Sequence, residues 1–342
     1  MVNKKELSIK EIAKLAGVSK ATVSNALSGK RHVKPSTKEK ILNLVKKYNY
    51  RPSVIARGLC QKKTSMVGVI IADIYNPYYS EVIKGIEAEI KKNGYILIVG
   101  STNYKIENEI KEFERLNSLC IDGFIFISSQ NSQEKIEEIN TRNVPIVFID
   151  REIKNYSSVL INNKKAMEKA VAFLRERGHK KIGYVGCKGY AYNMNHRYKG
   201  YLSGLKKNNL NCDRNLIFLS EKMATNEFNI GYKLIDSYIK KNEKIEFTAL
   251  LSQADIIAFG IIRALQDNGF NVPEDVSVVG FDNIHSSRFS NPRLTTVNQP
   301  KRKMGKIGAR ILLKELSNGK KVKDLVYLDT VVVERESTIM VN

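Results

Sequence analysis

The 342-residue sequence has no tryptophan, only seven prolines and only four cysteines. Cys60, Cys120, Cys187 and Cys212 stand far apart, with no CxxC pair and no Cys/His cluster. That spacing excludes a zinc finger and a disulfide framework, and fits reduced thiols. No apolar run reaches the roughly 20 residues that a membrane span needs. Met1-Val2-Asn3-Lys4-Lys5-Glu6 runs straight into a polar segment without the apolar stretch of a secretory signal, so a cytoplasmic protein is expected. Asn155-Tyr156-Ser157 fits a glycosylation sequon, which is then a coincidence. Enzyme signatures are missing too: there is no GxGxxG after the first strand, no GxxxxGK followed by Ser or Thr, no GxSxG and no HExxH. The four histidines (His32, His179, His196, His285) do not cluster. No enzyme, no metal and no cofactor are expected.

What is present is charge, unevenly placed. The chain carries 57 Lys and Arg against 35 Asp and Glu, a net of +22. Residues 1–63 hold 16 of the bases and three of the acids, a net of +13, which leaves only +9 for the other 279 residues. A length of 342 residues predicts two or three domains, and a hydrophobic content of 42% is that of a globular protein. A cationic head on a nearly neutral body suggests a head that binds a polyanion and a body that decides when.

The head reads as helices. Ser8-x-x-Glu11 is a capping box, and Ile9, Ile12, Ala13 and Ala16 follow at helical spacing. Gly17 can end this helix at positive φ, and Ser19 can cap a second helix with the apolar face Val23, Ala26 and Leu27. Two short helices around a glycine turn match the helix-turn-helix, whose second helix enters the major groove of DNA. An ordinary helical hairpin gives the same pattern; the charge of +13 favours DNA. Ser36-x-x-Glu39 supplies a second capping box, for a third helix with Ile41, Leu42, Val45 and Tyr48 facing the first two, ending at Asn49-Tyr50. After Pro52 only about two helical turns are available, too few to be stable alone. That stretch is either a linker or a helix that orders with DNA and a second copy of the chain.

IKEIAKLAGVSKATVSNALSGKRHVKPSTKEKI followed by NYRPSVIARGL resembles the DNA-binding head and hinge of the LacI/GalR (lac repressor) family. The resemblance implies that the hinge helices of a dimer pair in the minor groove with Leu59 as the wedge at the central base step. Such a wedge costs about a few kcal/mol of unstacking, offset by wider contact with the bent duplex. The alternative is a Leu59 that packs on the body. The resemblance also puts Lys20, Ala21 and Asn25 where relatives read bases. Lysine can donate to guanine and alanine offers only methyl contact. At Asn25 many relatives have arginine; asparagine cannot make the arginine–guanine fork but can pair adenine, so an operator differing at one base pair is expected. A phosphate contact at Asn25 is the alternative. Thr22, Ser24 and Ser28 suit phosphate contacts, which position without reading sequence. Ser19 and Arg57 complete the expected DNA-binding set.

The pattern changes from Met66 onward. Apolar runs at Met66–Ile71, Tyr95–Val99, Gly123–Ile127, Pro145–Ile149, Lys181–Gly186, Leu216–Leu219, Phe247–Leu251 and Val276–Phe281 predict buried strands. Helical stretches near 79–93, 105–118, 132–141, 164–177, 195–208, 227–241 and 254–268 fill the gaps. Buried strands alternating with helices mean parallel α/β sheets, here two Rossmann-like lobes with a ligand cleft at the strand carboxyl ends. Asp150 and Asp282 both end apolar strands. They can be acid/base catalysts, acceptors for ligand hydroxyls, or helix caps and turn residues. Val82, Ile83, Ile86 and Ile90 form a stripe that reads as lobe core.

VGVIIADIYNPYYSEVIKGIEAEI, VPIVFIDR, ERGHKKIGYVGC, NHRYKGY, DVSVVGFDN and LTTVNQP resemble the effector core of the same family. That implies a periplasmic-binding-protein-like core of two lobes, with crossings near 160, 290 and 323. The N-lobe would hold about 64–160 plus 292–322, and the C-lobe about 161–291 plus 323–342, after a head at 1–50 and a hinge at 51–63. The implied effector residues are Asp73, Tyr78, Tyr79, Asp150, Arg197, Asp255 and Asp282. An arginine fork suits a carboxylate, a phosphate or paired sugar oxygens. Two positions depart from the pattern: Ala254 precedes Asp255 where sugar-binding relatives have asparagine, and Asn226 stands where relatives offer an aromatic ring, although Phe228 could substitute. These departures weaken the case for a simple hexose. The tail, strand-like at Val326–Leu328 and Val331–Val333, has no heptad for a tetramer helix.

The expectation is a cytoplasmic homodimeric transcription regulator, a repressor, on palindromic operator DNA. A sugar, sugar derivative or purine-like effector would control it. The competing classes are a solute-binding transport protein, which needs an export signal, and an α/β enzyme, which needs a catalytic constellation.

Overall fold

The computed structural model describes residues 7–28, 32–50, 63–188, 192–221, 227–242, 244–319, 321 and 323–341. The chain forms two compact units, Met1–Thr64 and Ser65–Asn342.

The first unit contains α1 (Ile9–Ala16), α2 (Lys20–Ser28) and α3 (Pro35–Lys47). Ser8 and Glu11 form the reciprocal capping box, and Gly17 closes α1 at φ 70. Ser19 Oγ accepts the Thr22 amide at 3.1 Å and opens α2. Ile12, Ala13, Ala16, Val23, Ala26 and Ile41 make the buried centre, with Leu44 and Val45 packed against it. Two details differ from expectation. α3 starts at Pro35 with Lys34 as its cap and no side-chain capping bond, so the Ser36–Glu39 box does not form. Proline at the first helical position needs no amide partner, and Ser36 then sits two residues past the cap position, too far in to cap. Leu42 and Tyr48 point outward, at 45% and 40% exposure, because the inward face runs through Ile41, Leu44 and Val45.

The second unit holds two six-stranded sheets. Strands β1 (Met66–Ile71), β2 (Ile96–Ser101), β3 (Gly123–Ile127), β4 (Ile146–Ile149), β5 (Ser157–Ile161) and β11 (Leu325–Leu328) form the first, in the order β11-β5-β4-β3-β1-β2. Strands β6 (Ile182–Cys187), β7 (Ile217–Ser220), β8 (Ala249–Ser252), β9 (Ser277–Asp282), β10 (Thr295–Asn298) and β12 (Val331–Val333) form the second, in the order β12-β10-β9-β8-β6-β7. All neighbours are parallel except β10 and β12. The helices are α4 (Pro77–Lys92), α5 (Ile106–Ser118), α6 (Gln133–Ile139), α7 (Asn163–Glu176), α8 (Tyr192–Lys207), α9 (Glu227–Lys241), α10 (Asp255–Asp267) and α11 (Lys301–Asn318). Helices cover both sheets, which is why strands such as β1, β3 and β4 are buried at every residue and read as unbroken apolar runs.

The chain changes sheet after β5, after β10 and again after β11. The first crossing falls near residue 160; the others were expected near 290 and 323. Instead β10 remains with the C-lobe through Asn298, and β11 returns to the N-lobe through Leu328. Both shifts come from pairing that apolar patterning does not show. In β10 the buried Thr295 and Thr296 spend their hydroxyls on Thr338 and Asp255. The stripe Val82, Ile86 and Ile90 is buried in the N-lobe core with Ile83 packed against it.

Candidate functional sites

On α2 the side chains of Ser19, Lys20 and Ala21 are exposed, Thr22, Ser24 and Asn25 are half-buried, and Val23 and Ala26 are buried on the opposite face. One face of a single capped helix therefore anchors the head while its first turn faces solvent. The Ser28 side chain, Arg57, Leu59, and Asn226 with its neighbours lie outside the described residues.

Between the lobes the chain collects polar side chains at strand ends and helix starts. Asp73 follows β1 and accepts the Tyr75 amide at 3.0 Å. Asn76 caps α4 by accepting the Tyr78 amide at 2.9 Å, which sets Tyr78 and Tyr79 in the first turn, edge to face at 5.3 Å. Asp150 follows β4 in the left-handed region at φ 63. Its carboxylate accepts from Ser128 Oγ in its own lobe at 3.3 Å, and from Asn193 Nδ2 of α8 at 2.5 Å and Asn163 Nδ2 of α7 at 3.3 Å in the other. Arg197 donates to Asn163 Oδ1 at 2.9 Å and to the Gln253 carbonyl at 2.8 Å. It pairs with Asp282 at 3.3 Å and lies 3.8 Å over the Phe281 ring. Asp282 ends β9 at φ 116 and accepts from Gln299 Nε2 at 2.6 Å. Lys301 donates to the Asp282 carbonyl.

Glu227 opens α9 and reaches the N-lobe. Its Oε1 accepts from Asn76 Nδ2 at 2.8 Å and from the Tyr104 hydroxyl. Burial pushes the carboxyls of Asp73, Asp150 and Glu227 upward. It drives Asp282 to about 7 although Arg197 pulls the other way. Burial, then the nearby carboxylates Asp150 and Asp282, raises the Tyr78 phenol. Four buried atoms here, Tyr78 Oη, Glu227 Oε2, Gln253 Nε2 and Gln299 Oε1, have no hydrogen-bond partner among the described residues. The arrangement can bind a compact polar molecule between aromatic rings and charged groups. Among the described residues there is no cluster of three metal-ligating side chains and no helix long and apolar enough to cross a membrane.

Comparison with known proteins decides the family. Residues 8–53 match the family described as bacterial regulatory proteins, lacI family, and residues 171–338 match the periplasmic binding protein-like domain. The HTH-type transcriptional regulator RegA of Clostridium saccharobutylicum is 35% identical over 338 residues, covering 97% of this chain and 99% of that protein. The chain belongs to the LacI family.

It is a DNA-binding transcriptional regulator with an effector-binding core. The lac repressor dimer bound to operator and an anti-inducer shares its fold, with a TM-score of 0.81 at 24% identity over 98% of this chain and 100% of that one. A LacI-family regulator from Enterococcus faecalis with bound ribose gives 0.71 at 27% identity, over 81% of this chain and 100% of that one.

Of the residues named from the sequence of this LacI-family chain, Asp73, Tyr78, Tyr79, Asp150, Arg197 and Asp282 lie buried along the facing edges of the lobes. Asp255 is placed differently. Its two oxygens accept from the Ile284 amide at 2.8 Å, Ser287 Oγ at 2.6 Å and Thr296 Oγ1 at 2.5 Å, all within the C-lobe. It pins the loop after β9 and bonds only inside the C-lobe. Sequence reading missed Asn76, Asn163, Asn193, Glu227, Gln253 and Gln299. Only Asn76, ahead of Pro77, carried a signal, that of a helix cap.

Proposed function

We propose that this LacI-family regulator reads DNA through the first turn of α2 and senses an effector through Tyr78, Tyr79, Asp150, Arg197 and Asp282. Lys20, Ala21 and Asn25 meet bases; Ser19, Thr22, Ser24 and Ser28 meet phosphates; Arg57 and Leu59 form the hinge contact in the minor groove. The core works by binding, without catalysis, and the protein acts in the cytoplasm. The observation that carries the effector reading is the set of bonds across the cleft. Asp150 is held by Asn193, and Glu227 by Asn76, so each lobe contributes half of a polar site. A ligand shifts such an equilibrium only by its difference in affinity for the two lobe arrangements. The likeness to a ribose-bound regulator supports a sugar or sugar-like effector.

The test is operator selection from a random duplex pool with the full chain and with Asn25→Arg. Enriched sites should be palindromic and should differ at one base pair per half-site between the two proteins. Identical sites would place Asn25 on the backbone. Leu59→Ala should weaken the selected operator far more than random duplex; equal losses would remove the wedge.

A further inference from the structure

Four carboxylates converge between the lobes: Asp73, Asp150, Glu227 and Asp282, each nine-tenths or more buried. Facing them, Arg197 is already committed to Asn163, the Gln253 carbonyl and Asp282. Lys301 is committed to the backbone carbonyls of Asp282 and Asn283. Four carboxylates against these two cations leave the cleft acidic, and Lys301 has spent all three of its donors on backbone carbonyls. Glu227 bonds across the seam. One of its oxygens holds Asn76 and Tyr104; the other, Oε2, is buried and has no partner among the described residues. A buried acceptor without a donor is costly, and a ligand donor placed there would remove that cost.

We propose that Glu227 is a specificity-determining residue of the effector cleft: Oε2 takes a hydroxyl or ammonium donor of a non-anionic, polyhydroxylated effector, and the four carboxylates reject ligands bearing phosphate or carboxylate. The proposal rests on the effector reading above and narrows it. Glu227→Gln is a selective probe. The amide oxygen can still hold Asn76 and Tyr104, while the atom at Oε2 changes from acceptor to donor and the charge is lost.

The experiment is calorimetric titration of the full chain with pentoses, hexoses, disaccharides and amino sugars, each beside its phosphate ester. Operator binding is measured on the same samples. The wild type should bind at least one non-anionic probe roughly tenfold or more tighter than its ester, given the strength of hydrogen bonds to charged groups. Glu227→Gln, with an unchanged melting temperature, should lose roughly tenfold for that probe and most of the discrimination against the ester. The proposal is overturned if no non-anionic probe binds, if an ester binds as well as its parent, or if Glu227→Gln changes neither affinity nor discrimination. A wild type that still binds its operator in those cases keeps the regulator reading intact and defeats only the proposal about Glu227.

Discussion

Replacing Arg197 with methionine should destabilise the core by an amount that grows with pH, and the structure sets the size. Arg197 and Asp282 are each 4% exposed, and their pair sits 3.3 Å apart. Removing the cation deletes two charge-assisted bonds and a ring contact, and breaking a buried pair costs about 3–5 kcal/mol. The pH dependence follows from Asp282. Its folded pKa of about 7 lies above the ordinary value of 3.8, so the protonated form favours the folded state. That contribution is complete below the unfolded value and is lost as pH rises to about 7, after which the wild type shows no further change from this group. Without Arg197 the folded pKa climbs further, and stability continues to fall above neutrality by about 1.4 kcal/mol for each unit of the rise.

With no tryptophan in the chain, the assay is urea denaturation of the full protein followed by far-ultraviolet circular dichroism between pH 6 and pH 9. The gap between wild type and Arg197→Met should widen by at least ~1.4 kcal/mol over that range. A gap that stays constant would show that Arg197 does not hold Asp282 down, and the electrostatic account of the cleft would fail with it.

Three other outcomes follow from the packing. A carbon added at Gly260 would lie 2.0 Å from the Phe228 carbonyl oxygen, so Gly260→Ala must part α9 from α10 and should cost about 3 kcal/mol or more. Gly269→Ala, where φ is 82 but the space is open, should cost only about 1 kcal/mol, and equal urea midpoints for the two would mean the helices separate easily. Ser8→Ala removes the capping box and should lower the stability of the head by about 1 kcal/mol; hydrogen exchange of the α1 amides reads this, and unchanged protection would count against it. Asp255→Asn should weaken the fold by about 1–3 kcal/mol while leaving effector affinity unaffected, because its oxygens bond only within the C-lobe. A large loss of affinity would return Asp255 to the cleft.

Most strands were legible because both of their faces are buried, so apolar composition alone marks them. The two that were missed, β5 and β10, carry buried serines and threonines. Ser157 spends its hydroxyl on Glu315 at 3.0 Å, and Thr296 spends its own on Asp255 at 2.5 Å. Patterning counts such residues as polar and cannot see the partner that makes them core. α11 escaped for the opposite reason. Gly305 and Gly308 look like helix breakers, yet a carbon at Gly305 would meet the Val82 carbonyl of α4 at 2.1 Å. The glycine is there to let two helices touch. Asp150, Arg197 and Asp282 were visible through strand ends and family motifs. Glu227 was not, because an acid at the start of a helix reads as an ordinary surface residue until the opposite lobe closes over it.

That contrast bears on how the core can switch. Inside each lobe the helices are locked by backbone contacts that no side-chain motion relaxes, as at Gly260 and Gly305. The bonds that join the lobes through Asp150 and Glu227 are made by side-chain amides and a phenol. Exchanging each of them for water costs about 1.5–3 kcal/mol, the range for bonds to charged groups, whereas parting α9 from α10 costs about 3 kcal/mol or more at a single residue. The lobes should therefore move as rigid bodies, with the polar seam as the part that gives. A donor-rich ligand at the seam competes for the same acceptors that hold it shut. Its effect on the hinge then depends on whether Glu227 binds that donor better with Asn76 and Tyr104 in place or with them withdrawn. Operator affinity of Glu227→Gln without ligand separates the two: a seam that closes normally leaves it unchanged, and a seam that opens moves it in the direction the effector does.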